Sequence, residues 1–196
     1  ALTQAFAQGQ YQYPEGLYFG GNDFEQCVEL ISKVYIDKSA EYETVLTIDL
    51  HTGFGERGLL HLFPNPMDDP DIRQKMELIF DGHKIDWPDE SEDFYIVSGQ
   101  FVEFVGDLLP GKTCVPMVME FGTLNSSKTM GSIKSAHIPI VENQGFHYGY
   151  KTKKDSIKAK EGLYQMFYPR SEKWRTNVIN LSRDMFELVM ENYQKL

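Results

Sequence analysis

Thr47-Ile48-Asp49-Leu50-His51-Thr52-Gly53-Phe54-Gly55 and Met117-Val118-Met119-Glu120-Phe121-Gly122-Thr123 decide the reading of this chain. Each begins as an apolar, β-branched or Met-rich run, carries a histidine or a glutamate at its end, and turns through glycine. Apolar runs of this length suit strands buried on both faces, as in parallel sheets. In open α/β sheets, ligands bind outside the carboxyl ends of the strands. A histidine and a glutamate delivered there are a candidate metal ligand and a candidate general base.

Working outward, the first strand spans Thr44 to Leu50. It follows an expected helix that Asp23 caps and whose face is Phe24, Cys27, Val28, Ile31, Val34 and Tyr35. Leu59 to Phe63 reads as a short strand ended by Pro64-Asn65-Pro66. Asp69-Pro70 opens a helix with Ile72, Met76, Ile79 and Phe80 as its stripe. Residues 81–92 are polar and turn-rich. Phe101, Val102, Val105, Leu108 and Leu109 form a third helix stopped by Pro110-Gly111, before the strand at Thr113 to Phe121, where Pro116 marks an irregular start. Residues 126–149 show no clear period. Lys154 to Tyr168 and the stretch through Trp174, Val178, Leu181, Met185, Leu188 and Val189 read as closing helices. Helices alternating with strands predict one α/β domain over residues 1–196, with a central mixed, largely parallel sheet flanked by helices.

The 196 residues carry a net charge of −10, from 29 acidic and 19 basic side chains. This disfavours nucleic acid and anionic membrane as partners, since both need a basic face. No apolar run reaches membrane-spanning length. Two cysteines, Cys27 and Cys114, read as buried free thiols, which suits a reducing cytoplasm. The chain starts at Ala1 without an initiator Met, so the absence of a leader here says little about the gene product.

His51 at a strand end has a fixed direction, and imidazole is the commonest metal ligand. Asp49, two residues earlier, shares its side of the strand and is placed to orient the ring. The alternative is a core histidine beside a glycine turn. Glu120 ends an apolar strand, where a carboxylate is costly unless paired or used. A general base acting on metal-activated water and a buried salt bridge to an arginine are both open. Arg57 and Tyr95, on loops beside the motifs, are candidate substrate contacts, with ordinary surface roles as the alternative. His61, His83, His137 and His147 form no metal-binding pair and read as surface or core histidines. No phosphate loop, dinucleotide fingerprint or serine-hydrolase elbow occurs.

Ile48 to Gly55 resembles the third zinc-ligand motif of the zinc carboxypeptidase superfamily, and Glu120-Phe121-Gly122-Thr123 resembles its catalytic glutamate strand. Gly9-Gln10-Tyr11-Gln12-Tyr13-Pro14-Glu15-Gly16-Leu17-Tyr18-Phe19-Gly20-Gly21 looks like a signature of a bacterial branch of that superfamily. The resemblance implies a zinc-carboxypeptidase-like fold and one catalytic Zn²⁺. It makes His51 a zinc ligand, with Glu120 activating water toward the amide of a small peptide or acylamino-acid. The superfamily takes two further ligands from an upstream H-x-x-E segment, and this chain contains no H-x-x-E. It therefore resembles the carboxyl-terminal part of such a domain, incomplete at its amino terminus, with an upstream segment or a second chain completing the site. A deacylase of N-acyl amino acids and a metal-free binding or scaffold domain are the alternative readings.

Overall fold

A computed structural model describes residues 8–64, 69–88, 99–126 and 128–196. In chain order these form α1 (Cys27–Ser39), β1 (Thr44–Gly53), β2 (Leu60–Phe63), α2 (Pro70–Ile79), α3 (Phe101–Leu108), β3 (Thr113–Gly122), α4 (Thr129–Tyr148), α5 (Lys153–Phe167) and α6 (Glu172–Tyr193). The described residues form a mixed α/β fold with a three-stranded sheet in the order β1-β3-β2.

Strand direction follows from the hydrogen bonds at the strand ends. The Thr113 N–H donates to the Glu43 carbonyl at 2.9 Å, so β3 begins beside β1. The Thr123 hydroxyl donates to the Gly53 carbonyl at 3.0 Å, with the same 70-residue offset. Start meets start and end meets end, which makes β1 and β3 parallel. At the other edge of β3, the Gly122 N–H donates to Leu59 O at 3.1 Å and the Gly58 N–H to Gly122 O at 2.9 Å. The end of β3 thus meets the beginning of β2, an antiparallel pairing. The sheet is mixed, and its described strands divide between one parallel and one antiparallel pairing.

Position in the sheet explains the burial. β3 lies between the other two and is buried from Val115 to Gly122. Each large apolar side chain enclosed there contributes about 1.5–3 kcal/mol. β1 is an edge strand among those described, so the expected two-sided burial is not seen. Thr47 and Gly53 are buried, while Leu50 is 53 % exposed.

The chain divides into two compact units. The first comprises the described residues of Ala1–Gly20, His51–His61 and Glu120–Asp184; the second comprises those of Gly21–Leu50, Leu62–Met119 and Met185–Leu196. In the second unit α1 packs against α3. Its helix α2 starts as its sequence dictates: the Asp69 carboxylate accepts from the N–H groups of Asp71 and Ile72, and Pro70 occupies the first turn. Met76, Ile79 and Phe80 are fully buried. α1 departs from expectation. Among the described residues the Asp23 carboxylate accepts from its neighbour Phe24, and the helix begins four residues later at Cys27, after a Gln26 whose side chain makes no capping bond. Phe24 is consequently 74 % exposed, and Cys27, in the first turn, is exposed rather than buried. Cys114 is half-buried.

In the first unit α4 packs against α5. α4 fills the stretch without a clear period, and the reason is visible. Pro139 lies inside the helix, and the buried face holds Gly131, Pro139 and Gly145 in place of large apolar residues. A side chain on Gly131 would collide with the Leu124 and Asn125 carbonyls. α6 begins at β3's end: the Trp174 indole N–H donates to Gly122 O at 2.8 Å, and the Asn177 amide to Gly58 O at 2.7 Å.

Candidate functional site

The first unit assembles its polar residues around the ends of β1 and β3. Strand pairing brings His51 and Glu120 together: His51 Nδ1 lies 3.7 Å from Glu120 Oε2. The two side chains differ sharply in environment. The imidazole is 52 % exposed and the carboxylate 10 %. A carboxylate at this depth needs donors, and the Phe54 N–H supplies one, 2.9 Å from Oε1. Oε1 is thereby held by the backbone and Oε2 is turned toward the imidazole.

The Gly53–Arg57 turn is fixed in the same manner. The Gly55 N–H donates to Ser126 Oγ at 2.7 Å, the Glu56 N–H to His61 Nε2 at 3.2 Å, and the Arg57 N–H to Asn125 Oδ1 at 2.7 Å. The Ser126 N–H returns a bond to Gly55 O at 3.1 Å. Two glycines make this packing possible. Gly55 has φ 98°, and a Cβ there would sit 2.5 Å from the His61 ring; a Cβ on Gly122 would collide with the Glu56 carbonyl.

Thr123 closes the base of the site. It is fully buried, and its hydroxyl lies 3.0 Å from Gly53 O and 2.6 Å from Met166 O, tying both strand ends to the end of α5. The Thr52 hydroxyl donates to Phe167 O at 2.5 Å. The half-exposed Phe167 ring then lies near Gly53, on the same side as Glu120 Oε1.

Of the other expected site residues, Arg57 belongs to this cluster: it is exposed, and its Nη1 donates to Thr123 O at 2.8 Å. Asp49 is half-buried on β1, where burial first, and the Asp49 carboxylate second, push the Tyr35 phenol above its ordinary value. Tyr95 lies outside the described residues. His83 and His137 are exposed, and His147 stacks edge-on against Phe146 with centroids 5.0 Å apart. Sequence reasoning passes over Asn125 and Ser126 and gives His61 only a surface or core role. One signal exists for the first two: Leu124-Asn125-Ser126 follows a strand, and Asn125 takes a left-handed φ of 54°, which asparagine tolerates.

The donor chemistry fits part of a zinc site. A half-exposed imidazole held at a strand end suits one ligand, and the buried carboxylate beside it suits a base. Catalytic zinc sites usually take three protein ligands, and no group of three His, Cys, Asp or Glu able to hold a metal ion occurs among the described residues. These residues alone therefore do not complete the site. No described helix is long and apolar enough to cross a membrane.

No curated protein and no solved structure matches the chain. A family model does, over residues 1–181. The chain belongs to the family described as protein of unknown function (DUF2817).

Proposed function

We propose that the chain is part of a zinc-dependent amide hydrolase of carboxypeptidase type, acting on a small peptide or an N-acyl amino acid. The observation that carries this reading is the approach of His51 Nδ1 to Glu120 Oε2, 3.7 Å apart at the ends of adjacent parallel strands. It joins a half-exposed imidazole to a shielded, backbone-held carboxylate. The fold reading extends accordingly to a zinc-carboxypeptidase-like sheet.

A zinc ion bound here would supply Lewis acidity toward the amide carbonyl and would make water acidic enough to attack at neutral pH. His51 would be one of the residues that hold it, and Asp49 would orient that imidazole. The described residues offer no complete set of three, and the remaining ligands would have to be supplied by groups outside them. Glu120 takes a proton from the attacking water as the new C–O bond forms. It then delivers that proton to the amide nitrogen as the C–N bond breaks. Burial and the Phe54 N–H keep one carboxylate oxygen fixed, so that Oε2 alone exchanges the proton. Arg57, anchored on Thr123 O, offers its remaining N–H groups to a substrate carboxylate. The two free thiols suit a reducing compartment such as the cytoplasm.

The test is hydrolysis of a panel of N-acetyl amino acids and dipeptides by the full-length gene product, with and without added zinc. Zinc-dependent release of a free amine supports the reading. Amide hydrolysis that survives exhaustive chelation, or none with zinc bound at one ion per chain, overturns it.

A further inference from the structure

The four consecutive backbone N–H groups of Phe54, Gly55, Glu56 and Arg57 all end on side chains: Glu120, Ser126, His61 and Asn125. Burial does not compel this. The bonds to Glu56 and Arg57 are exposed, so water would satisfy those N–H groups equally well. Side-chain capture instead selects one conformation of a segment whose glycines otherwise leave it many. One bond of the four reaches the carboxylate. The position of the turn therefore sets which way Glu120 faces.

We infer that Ser126 and Asn125 are positioning residues for Glu120, acting through the backbone of the turn; this rests on Glu120 being the general base. Ser126 grips Gly55 twice: its Oγ accepts the Gly55 N–H at 2.7 Å, and its own N–H donates to the Gly55 carbonyl at 3.1 Å. Gly55 directly follows Phe54, the residue whose N–H holds Oε1. Asn125 grips Arg57 two residues further on. Releasing the turn lets the Phe54 N–H drift from Oε1, and the carboxylate then rotates away from its working direction. Substrate binding does not need that direction, whereas proton transfer does.

The experiment uses the full-length protein and compares Ser126→Ala with Ser126→Thr, and Asn125→Leu with Asn125→Asp. Steady-state kinetics are read alongside hydrogen exchange of the Phe54 amide by NMR. We expect Ser126→Ala and Asn125→Leu to lower kcat by roughly ten-fold or more, since small misplacements of a catalytic group are costly. KM stays within about two-fold, and Phe54 exchange accelerates. Ser126→Thr and Asn125→Asp, which keep the acceptor oxygen, restore both readouts. A merely structural role lowers the melting temperature without this kcat-against-KM split or the rescue. Wild-type kcat in both acceptor-deleted variants overturns the inference, as does unchanged Phe54 exchange. Should one variant fail to fold, the other pair decides. Should the wild type hydrolyse no amide, the hydrolase reading fails by itself, and Phe54 exchange still decides whether Ser126 and Asn125 hold the turn.

Discussion

Glu120 Oε2 lies 3.7 Å from His51 Nδ1, while its other oxygen is held by the Phe54 N–H three residues beyond that histidine. A single stretch of chain thus supplies both the imidazole and the donor that orients the carboxylate facing it. The two functions move together, and a change at the turn is felt at the pair.

If His51 is a ligand, His51→Ala in the full-length protein weakens zinc binding by more than about 100-fold, beyond the 10–100-fold cost of losing only a ligand's supporting partner. Competition against a chromophoric chelator measures it. Equal affinity in the variant removes His51 from the ligand set.

Thr123 is the buried tie between the strand ends and α5. Thr123→Val keeps the shape and removes the single O–H that the Gly53 and Met166 carbonyls share. The expected loss is about 1–3 kcal/mol in urea unfolding. A loss below about 0.5 kcal/mol assigns those carbonyls other partners.

Glu161 and Arg170 form an exposed bidentate pair, with Arg170 Nη2 2.9 Å and Nε 3.0–3.1 Å from the carboxylate oxygens. The Arg170 bond first, and the Gln165 bond second, hold the Glu161 carboxyl below its ordinary 4.5. A carboxyl more acidic folded than unfolded stabilises the fold above that ordinary value. The contribution fades as pH falls through the lower folded value. The gap in urea midpoint between wild type and Arg170→Gln is therefore expected to be larger at pH 7 than at pH 3. An equal gap at both pH values means that Arg170 acts through its contact with the Tyr164 ring, 4.7 Å away, and not through the carboxylate.

Much of the fold, and the approach of His51 to Glu120, is legible in the amino-acid sequence, and the exceptions have physical causes. Continuous apolar runs locate β1 and β3, and apolar stripes at helical spacing locate α2, α3 and α6. His51 and Glu120 pair on sequence grounds since both end apolar strands, and parallel strands bring like ends together. α4 is illegible because close packing at Gly131, Pro139 and Gly145 replaces the apolar stripe that periodicity detects. The start of α1 misleads because the Asp23 carboxylate takes the Phe24 N–H while the helix begins only at Cys27. Asn125, Ser126 and His61 escape sequence reasoning as a group. Their role lies in accepting N–H groups from a turn up to 71 residues away in sequence, and residue type does not announce that.

The most direct test of the central claim is Glu120→Gln in the full-length protein, with zinc content and amide hydrolysis measured on the same sample. Glutamine keeps an oxygen for the Phe54 N–H and loses the carboxylate that carries the proton. We expect bound zinc to match wild type and kcat to fall by about 10²–10⁴-fold, the range of general acid–base catalysis. Turnover within a few-fold of wild type, with zinc still bound, would contradict Glu120 as the base and with it the hydrolase reading of this site.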